Sequence, residues 1–134
     1  MIMIINTADE AKVFVGLVND AKLVSAKRFL ARHRQAEKLL VAIDKILKQN
    51  KVTLSDLTGV AVVTGPGPFT ALRIGVVTAN TLAWSLQCPV LGIKNDEFTN
   101  DRSLAKLVSE KMKHQQRGIV VPFYNKEPNI TKKK

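Results

Sequence analysis

The chain has 134 residues, 46% hydrophobic and 24% charged, a globular balance that excludes a fully disordered polypeptide and leaves room for one domain. Its 21 Lys and Arg against 11 Asp and Glu give a net charge of +10, which favours polyanions or an acidic protein partner and says nothing about fold. The single cysteine, Cys88, excludes an internal disulfide framework and a thiolate zinc cluster and fits a reducing compartment. No apolar run approaches the roughly 20 residues that span a bilayer. The start, MIMIIN, lacks the basic opening and cleavage site of a signal peptide. The expected location is therefore the cytoplasm, with no membrane contact.

Residues 2–6 (IMIIN) form a short apolar run, read as a buried strand, and residues 12–18 (KVFVGLV) a second strand rich in Val and Phe. Asn19-Asp20-Ala21-Lys22 has tight-turn composition, so residues 23–30 supply the third strand of a hairpin. The period then changes. Ala36, Leu39, Leu40, Ile43, Ile46 and Leu47 recur at helical spacing over residues 33–49, with Asn50 as the stop. Val60 to Val63 reads as a central strand buried on both faces. Gly65-Pro66-Gly67-Pro68 is a loop, and a second helix covers about residues 70–87, ending before Pro89. Residues 90–93 are one more strand, residues 100–114 a charged helix, and residues 119–124 an extended piece returning to the core. The order β-β-β-α-β-α-β implies a mixed sheet with helices packed on it, as in a ribonuclease H-like or actin-like ATPase half-domain.

Charge divides the chain into blocks. Residues 22–51 carry nine Lys or Arg against Glu37 and Asp44, whereas residues 52–93 hold only Arg73 and Asp56. Residues 94–134 carry ten cations against five acids, and Lys132 to Lys134 read as a solvated tail. No catalytic constellation stands out. Gly65 to Arg73 lacks the Gly-Lys-Ser/Thr of a phosphate-binding loop, and Pro66 and Pro68 have no N–H for an anion. Asp9 and Glu10 sit in a turn and read as solvated. His33 and His114 lie far apart with no HExxH or Cys partner, so neither a metal site nor a cofactor is expected.

The second helix carries one charge, Arg73, between Thr70 and Gln87. Ala71, Leu72, Gly75, Val76, Ala79, Leu82, Ala83 and Leu86 make a wide apolar stripe, leaving Ile74, Val77 and Trp84 outside it. Ala71, Gly75, Ala79 and Ala83 form a small-residue ridge at i+4 spacing, which lets another helix approach closely. The first helix covers part of this surface within the chain. The expected partner interface is Ala36, Leu40, Ile43 and Leu47 of the first helix with Ala71, Gly75, Val76, Ala79, Leu82 and Ala83 of the second. The cations around the first helix would steer an acidic partner or the phosphates of a nucleic acid. Aromatic residues make up only 5%, which argues against base stacking.

The string Thr64-Gly65-Pro66-Gly67-Pro68-Phe69-Thr70-Ala71-Leu72-Arg73-Ile74-Gly75 resembles the GPGSFTGLRIG signature of the TsaB (YeaZ-like) family, relatives of the glycoprotease-type TsaD proteins in the actin-like superfamily. Residues 4–18 resemble that family's opening strand, DT-turn and second strand, His33 to Leu40 its HSERLL helix start, and Pro89 to Ile93 the strand after its second helix. Residues 122–131 (PFYNKEPNIT) resemble its terminal P-x-Y-x-R-x-P segment. There are departures. Asn6 stands where the family has Asp, Pro68 replaces Ser, Ala71 replaces Gly, and Asn125-Lys126 replaces Leu-Arg. Family members carry a second half where this chain has only residues 94–118. The resemblance implies a TsaB-like half-domain over residues 1–94, a shortened connecting segment over 95–118, and a C-terminal segment over 119–134. It also implies a non-catalytic scaffold for a TsaD-like protein, with a TsaE-like ATPase in the same complex. That machinery installs threonylcarbamoyl on the adenosine beside the tRNA anticodon, so tRNA is met indirectly. A homodimer is expected without TsaD. Gly65, Pro66, Gly67, Phe69, Thr70 and Arg73 are expected to be structural, fixing the strand-to-helix turn. The alternatives are a small basic RNA-binding domain acting without TsaD and a residual enzyme of the superfamily.

Overall fold

The structure, a computed structural model, describes residues 1–9, 11–31 and 34–123. Glu10, the proposed helix start at His33, most of the PFYNKEPNIT segment and the Lys132–Lys134 tail lie outside the described residues.

Strands β1 (Ile2–Asn6), β2 (Lys12–Asn19) and β3 (Lys22–Leu30) form an antiparallel meander. Helix α1 (Gln35–Gln49), strand β4 (Gly59–Gly65), helix α2 (Phe69–Leu86) and strand β5 (Val90–Lys94) follow, and helix α3 (Asp101–Met112) comes last. β4 inserts beside β1 in parallel and β5 beside β4, giving the order β3-β2-β1-β4-β5. The element order expected from the sequence is the order found.

Side chains alternate along each strand, so each residue commits to one face. Met3, Ile5, Val13, Val15, Leu17, Val60 and Val62 point toward α1 and α2, where they meet Leu39, Ile43 and Ile46. Ile4, Phe14, Val18, Ala61, Leu91 and Ile93 point to the other face and pack on Leu104, Ala105 and Val108 of α3. A strand covered on both faces has no position facing water, which is why all seven residues of β4, Thr64 included, are buried.

The ends of the elements follow local chemistry. Asp20 and Ala21 both take positive φ in the β2–β3 turn. Asn50 ends α1, its side-chain amide donating to the Ile46 carbonyl at 2.7 Å. Helix α3 begins at a reciprocal cap: the Asn100 side chain accepts from the Ser103 N–H at 2.8 Å, and Ser103 Oγ accepts from the Asn100 N–H at 3.0 Å. The extended segment 119–123 does return to the body, held by Asn80. That carboxamide donates to the Val120 carbonyl at 2.8 Å and accepts from its N–H at 2.9 Å, while the Phe123 N–H reaches the Thr64 carbonyl at 2.7 Å.

Candidate partner-binding face

Ligands of open α/β sheets lie beyond the carboxyl ends of the parallel strands. Here that place belongs to two loops of the chain itself. Gly65 takes φ 120°, open to glycine alone, and the Gly65–Pro66 peptide is cis. Gly67 presses against the Ala8 carbonyl, where a Cβ would collide with backbone. Asn95 Nδ2 donates to the Pro66 carbonyl at 2.8 Å. Buried Thr7 donates its hydroxyl to the Ala71 carbonyl at 2.6 Å, and Gly75 sits directly on its side chain. Asn6 and Asp9 are spent locally. Asn6 accepts from the Ala8 N–H at 2.9 Å. The N–H groups of Ala11 and Lys12 donate to Asp9 and hold its carboxyl below the ordinary carboxylate value. The polar groups here fold the turns. Among the described residues, no group of three His, Cys, Asp or Glu side chains could hold a metal ion. Burial pushes the Cys88 thiol up, away from the reactive thiolate.

Gly65 and Gly67 thus lie against the chain's own backbone, and the Pro66 carbonyl accepts from Asn95. Phe69, Thr70 and Arg73 face outward instead, with Phe69 51% exposed.

The expected small-residue ridge is corrected by the structure. Ala71, Gly75, Val76, Ala79 and Ala83 are all buried, Ala79 completely, because this side of α2 lies on β1 and β4. The small side chains let the helix approach the sheet rather than a second molecule. Ile43 and Leu47 of α1 are buried too, as the floor between the helices. Of the ten expected interface positions, Ala36 and Leu40 are exposed and Leu82 half-buried.

The open face lies one flank round the helices. Between α1 and α2 runs a groove of about 490 Å³, floored by Ile43 and Leu47 and walled by Leu40, Leu54, Val77 and Leu82. Among the described residues Asp44 is the one charged residue on its lining, and it is paired to Lys48 at 3.0 Å. Leu40, Val77 and Trp84 are 59%, 54% and 78% exposed. Val77 and Trp84 are seven residues apart, so they share a side of α2. Their signal was visible as apolar residues outside the main stripe of a nearly chargeless helix.

Residues 29–99 match the profile of the family described as TsaD: tRNA N6-adenosine threonylcarbamoyltransferase. The chain belongs to this family. Among its relatives, the tRNA N6-adenosine threonylcarbamoyltransferase of Listeria innocua is 40% identical over 85 residues, covering 59% of this chain and 25% of the relative. The tRNA threonylcarbamoyladenosine biosynthesis protein TsaB of Buchnera aphidicola is 46% identical over 56 residues, covering 42% of this chain and 27% of that protein. The solved YeaZ of Pseudomonas aeruginosa superposes with a TM-score of 0.64 at 28% identity, over 69% of this chain and 43% of that one. The chain is thus TsaB/YeaZ-like in sequence and structure, with the ribonuclease H-like, actin-like fold. It spans about a quarter of the length of the curated relatives it matches. No described helix is long and apolar enough to cross a membrane.

Proposed function

We propose that this chain is an accessory, non-catalytic subunit of the tRNA threonylcarbamoyladenosine machinery, docking on a TsaD-type transferase through the α1–α2 groove. The observation that carries this reading is the groove itself. Leu40, Leu54, Val77 and Trp84 leave a nearly uncharged apolar surface in water beside the sheet-bound sides of both helices. Apolar patches of that kind mark protein interfaces. A standard interface buries about 800 Å² per partner, within reach of two helices of 15 and 18 residues. The relatives named for threonylcarbamoyl transfer and for TsaB supply the pathway. The non-catalytic role is supported by Thr7, Asn6 and Asp9, whose polar atoms serve the chain's own turns at the strand ends. A TsaE-like ATPase and tRNA then meet this subunit within the complex, and without TsaD the same groove pairs two copies.

The test is to mix the chain with a TsaD-type transferase of the same genome, measuring mass in solution and threonylcarbamoyl transfer to tRNA. Val77→Arg and Trp84→Arg are expected to abolish complex formation while leaving the melting temperature unchanged. A wild-type chain that stays monomeric and ignores the transferase sinks the reading. Tight, salt-sensitive tRNA binding by the chain alone would favour the RNA-binding alternative. Turnover lost on Asp9→Ala would favour an enzyme.

A further inference from the structure

A second surface lies on the opposite flank of α1. β3 is an edge of the sheet, and its bonding phase is fixed by the Ala31 N–H donating to the Ala11 carbonyl at 2.8 Å. Bonded and non-bonded pairs alternate along an antiparallel ladder. In the register Lys12↔Leu30, Phe14↔Arg28, Gly16↔Ala26, it is Ser25, Lys27 and Phe29 that bond to β2. The N–H and C=O groups of Ala26, Arg28 and Leu30 therefore aim away from the sheet, and among the described residues no strand pairs with them. Between this edge and α1 runs a groove of about 560 Å³. Among the described residues, Phe29, Val41 and Ala42 form its apolar part, and Lys27, Lys38 and Lys45, with the backbone of Arg28, its cationic side, against Glu37 as the one acid. Glu37 already faces Arg34 at 4.0 Å. Among the described residues the three lysines have no ion-pair partner. Arg28 is turned to the other face, pairing with Asp101 and covering the Phe14 ring at 4.8 Å.

We propose that this groove binds an extended acidic segment of a partner protein, which adds to β3 as a sixth strand. Its backbone would bond to Ala26, Arg28 and Leu30, its acidic side chains would face Lys27, Lys38 and Lys45, and the alternate apolar ones would lie beside exposed Leu30. Three observations select this occupant. The edge offers carbonyls as well as N–H groups; a peptide satisfies both, whereas a phosphate backbone has no donor for the carbonyls. Among the described residues the groove has an apolar part and one ring, Phe29, whose body packs in the core, so they give nucleobases no stacking platform. A second copy pairing β3 to β3 would bring the same lysines together. Lysines on an edge strand also repel unwanted strands, but two of these three stand on α1 and converge on the groove from outside the sheet.

The probe is a blocked seven-residue peptide alternating glutamate and valine, titrated into the full chain by fluorescence anisotropy. Amide exchange at Ala26, Arg28 and Leu30 should slow on binding. In a strand, alternate amides point to opposite edges, so N-methylation of one alternating set should weaken binding at least tenfold and that of the other set should be tolerated. Lys38→Glu with Lys45→Glu, both on exposed positions, should weaken it at least tenfold, and a lysine-for-glutamate peptide should not bind. The proposal is overturned if the peptide fails to bind at millimolar concentration. It is overturned if both methylation patterns act alike, because charge alone then explains the affinity. It is overturned in favour of nucleic acid if a single-stranded RNA binds more tightly and is lost in the same double variant.

Discussion

Helix α1 separates two grooves of similar size and opposite chemistry. On one flank Leu40, Ile43 and Leu47 meet Val77 and Leu82 of α2, and among the described residues the lining holds one charge, Asp44. On the other flank Lys38, Val41 and Lys45 meet the edge strand β3, where Lys27 adds a third cation. A single helix of 15 residues thus presents an apolar side to a helix and a cationic side to a sheet edge. What decides the character of each groove is the neighbour. Helix α2 contributes a nearly chargeless wall that must be buried by something, while β3 contributes open backbone that lysines both guard and address. The net charge of +10 hides this division.

The largest effect that would sharpen the contrast separates the two sides of α2. Ala79 is completely buried against the sheet, Val77 is 54% exposed in the apolar groove, and they are two residues apart. Ala79→Arg places an unpaired charge in the core and should cost roughly 4 kcal/mol or more, seen as loss of the cooperative transition in urea. Val77→Arg should stay within about 0.5 kcal/mol of wild type while losing the partner. Equal stability of the two variants would mean that the assignment of sides is wrong.

The next effect concerns the platform under both grooves. Gly67→Ala drives a methyl into the Ala8 backbone and should cost about 2 kcal/mol by overpacking. Thr7→Val removes the donor to Ala71 and should cost about 1 kcal/mol. Neither should change the relative strength of the two binding surfaces once the chain is folded. A Gly67→Ala chain with wild-type stability and no partner binding would move that loop from structure into the interface.

The mismatch between ridge and groove shows how far sequence carried. Strand and helix limits came within a residue or two wherever period and breakers agreed, as at Asn50, Pro68 and Pro89. The mixed sheet was legible because Val60 to Val63 has no polar alternation and because a hairpin precedes the helices. The outer face was not. A row of Ala71, Gly75, Ala79 and Ala83 permits close approach of any flat neighbour, and spacing alone does not distinguish a sheet of the same chain from a helix of another. Val77 and Trp84 were visible as off-stripe residues, but without the sheet in place the wider stripe outweighed them. The α1–β3 groove needed the ladder phase, which no pattern of side chains encodes.

Salt should act on the two grooves differently. Raising it from about 0.1 M to about 1 M shrinks the Debye length from about 10 Å to about 3 Å. The acidic peptide at Lys27, Lys38 and Lys45 should weaken about tenfold or more, whereas the partner in the α1–α2 groove should bind as well or better, since apolar burial is not screened. Isothermal titration at both salts measures each. A partner at Val77 and Trp84 that is lost at high salt would show that cations, not apolar contacts, hold it, and the contrast between the grooves would collapse.

The smallest effect decides whether acid can be used to break the cationic groove. Protonating the glutamates of the peptide should release it, but the protein carries its own acid-sensitive contact on the far side of the sheet. Lys111 of α3 donates to Glu97 Oε1 at 2.7 Å, and the Lys94 N–H donates to Oε2 at 2.7 Å. The Lys111 hydrogen bond first, and then that N–H, hold the Glu97 carboxyl below its ordinary value of 4.5. A carboxylate whose folded value lies below the unfolded one stabilises the fold above the unfolded value and loses that contribution as pH falls through the folded one. Lys111 is partly exposed, so the pair contributes about 0.5 kcal/mol. Glu97→Gln should therefore be less stable than wild type by that amount at pH 7, and the gap should close as the pH is taken below 4.5. Thermal melts of both chains across this range measure it, and a gap of the same size at pH 3 would show that charge is not its source. Because α3 packs on the face opposite α1, and the peptide's glutamates titrate in the same acid range as Glu97, the Glu97→Gln chain is the control: peptide release at the same pH from both chains reads the α1–β3 groove, and release at different pH values would trace it to the α3 contact.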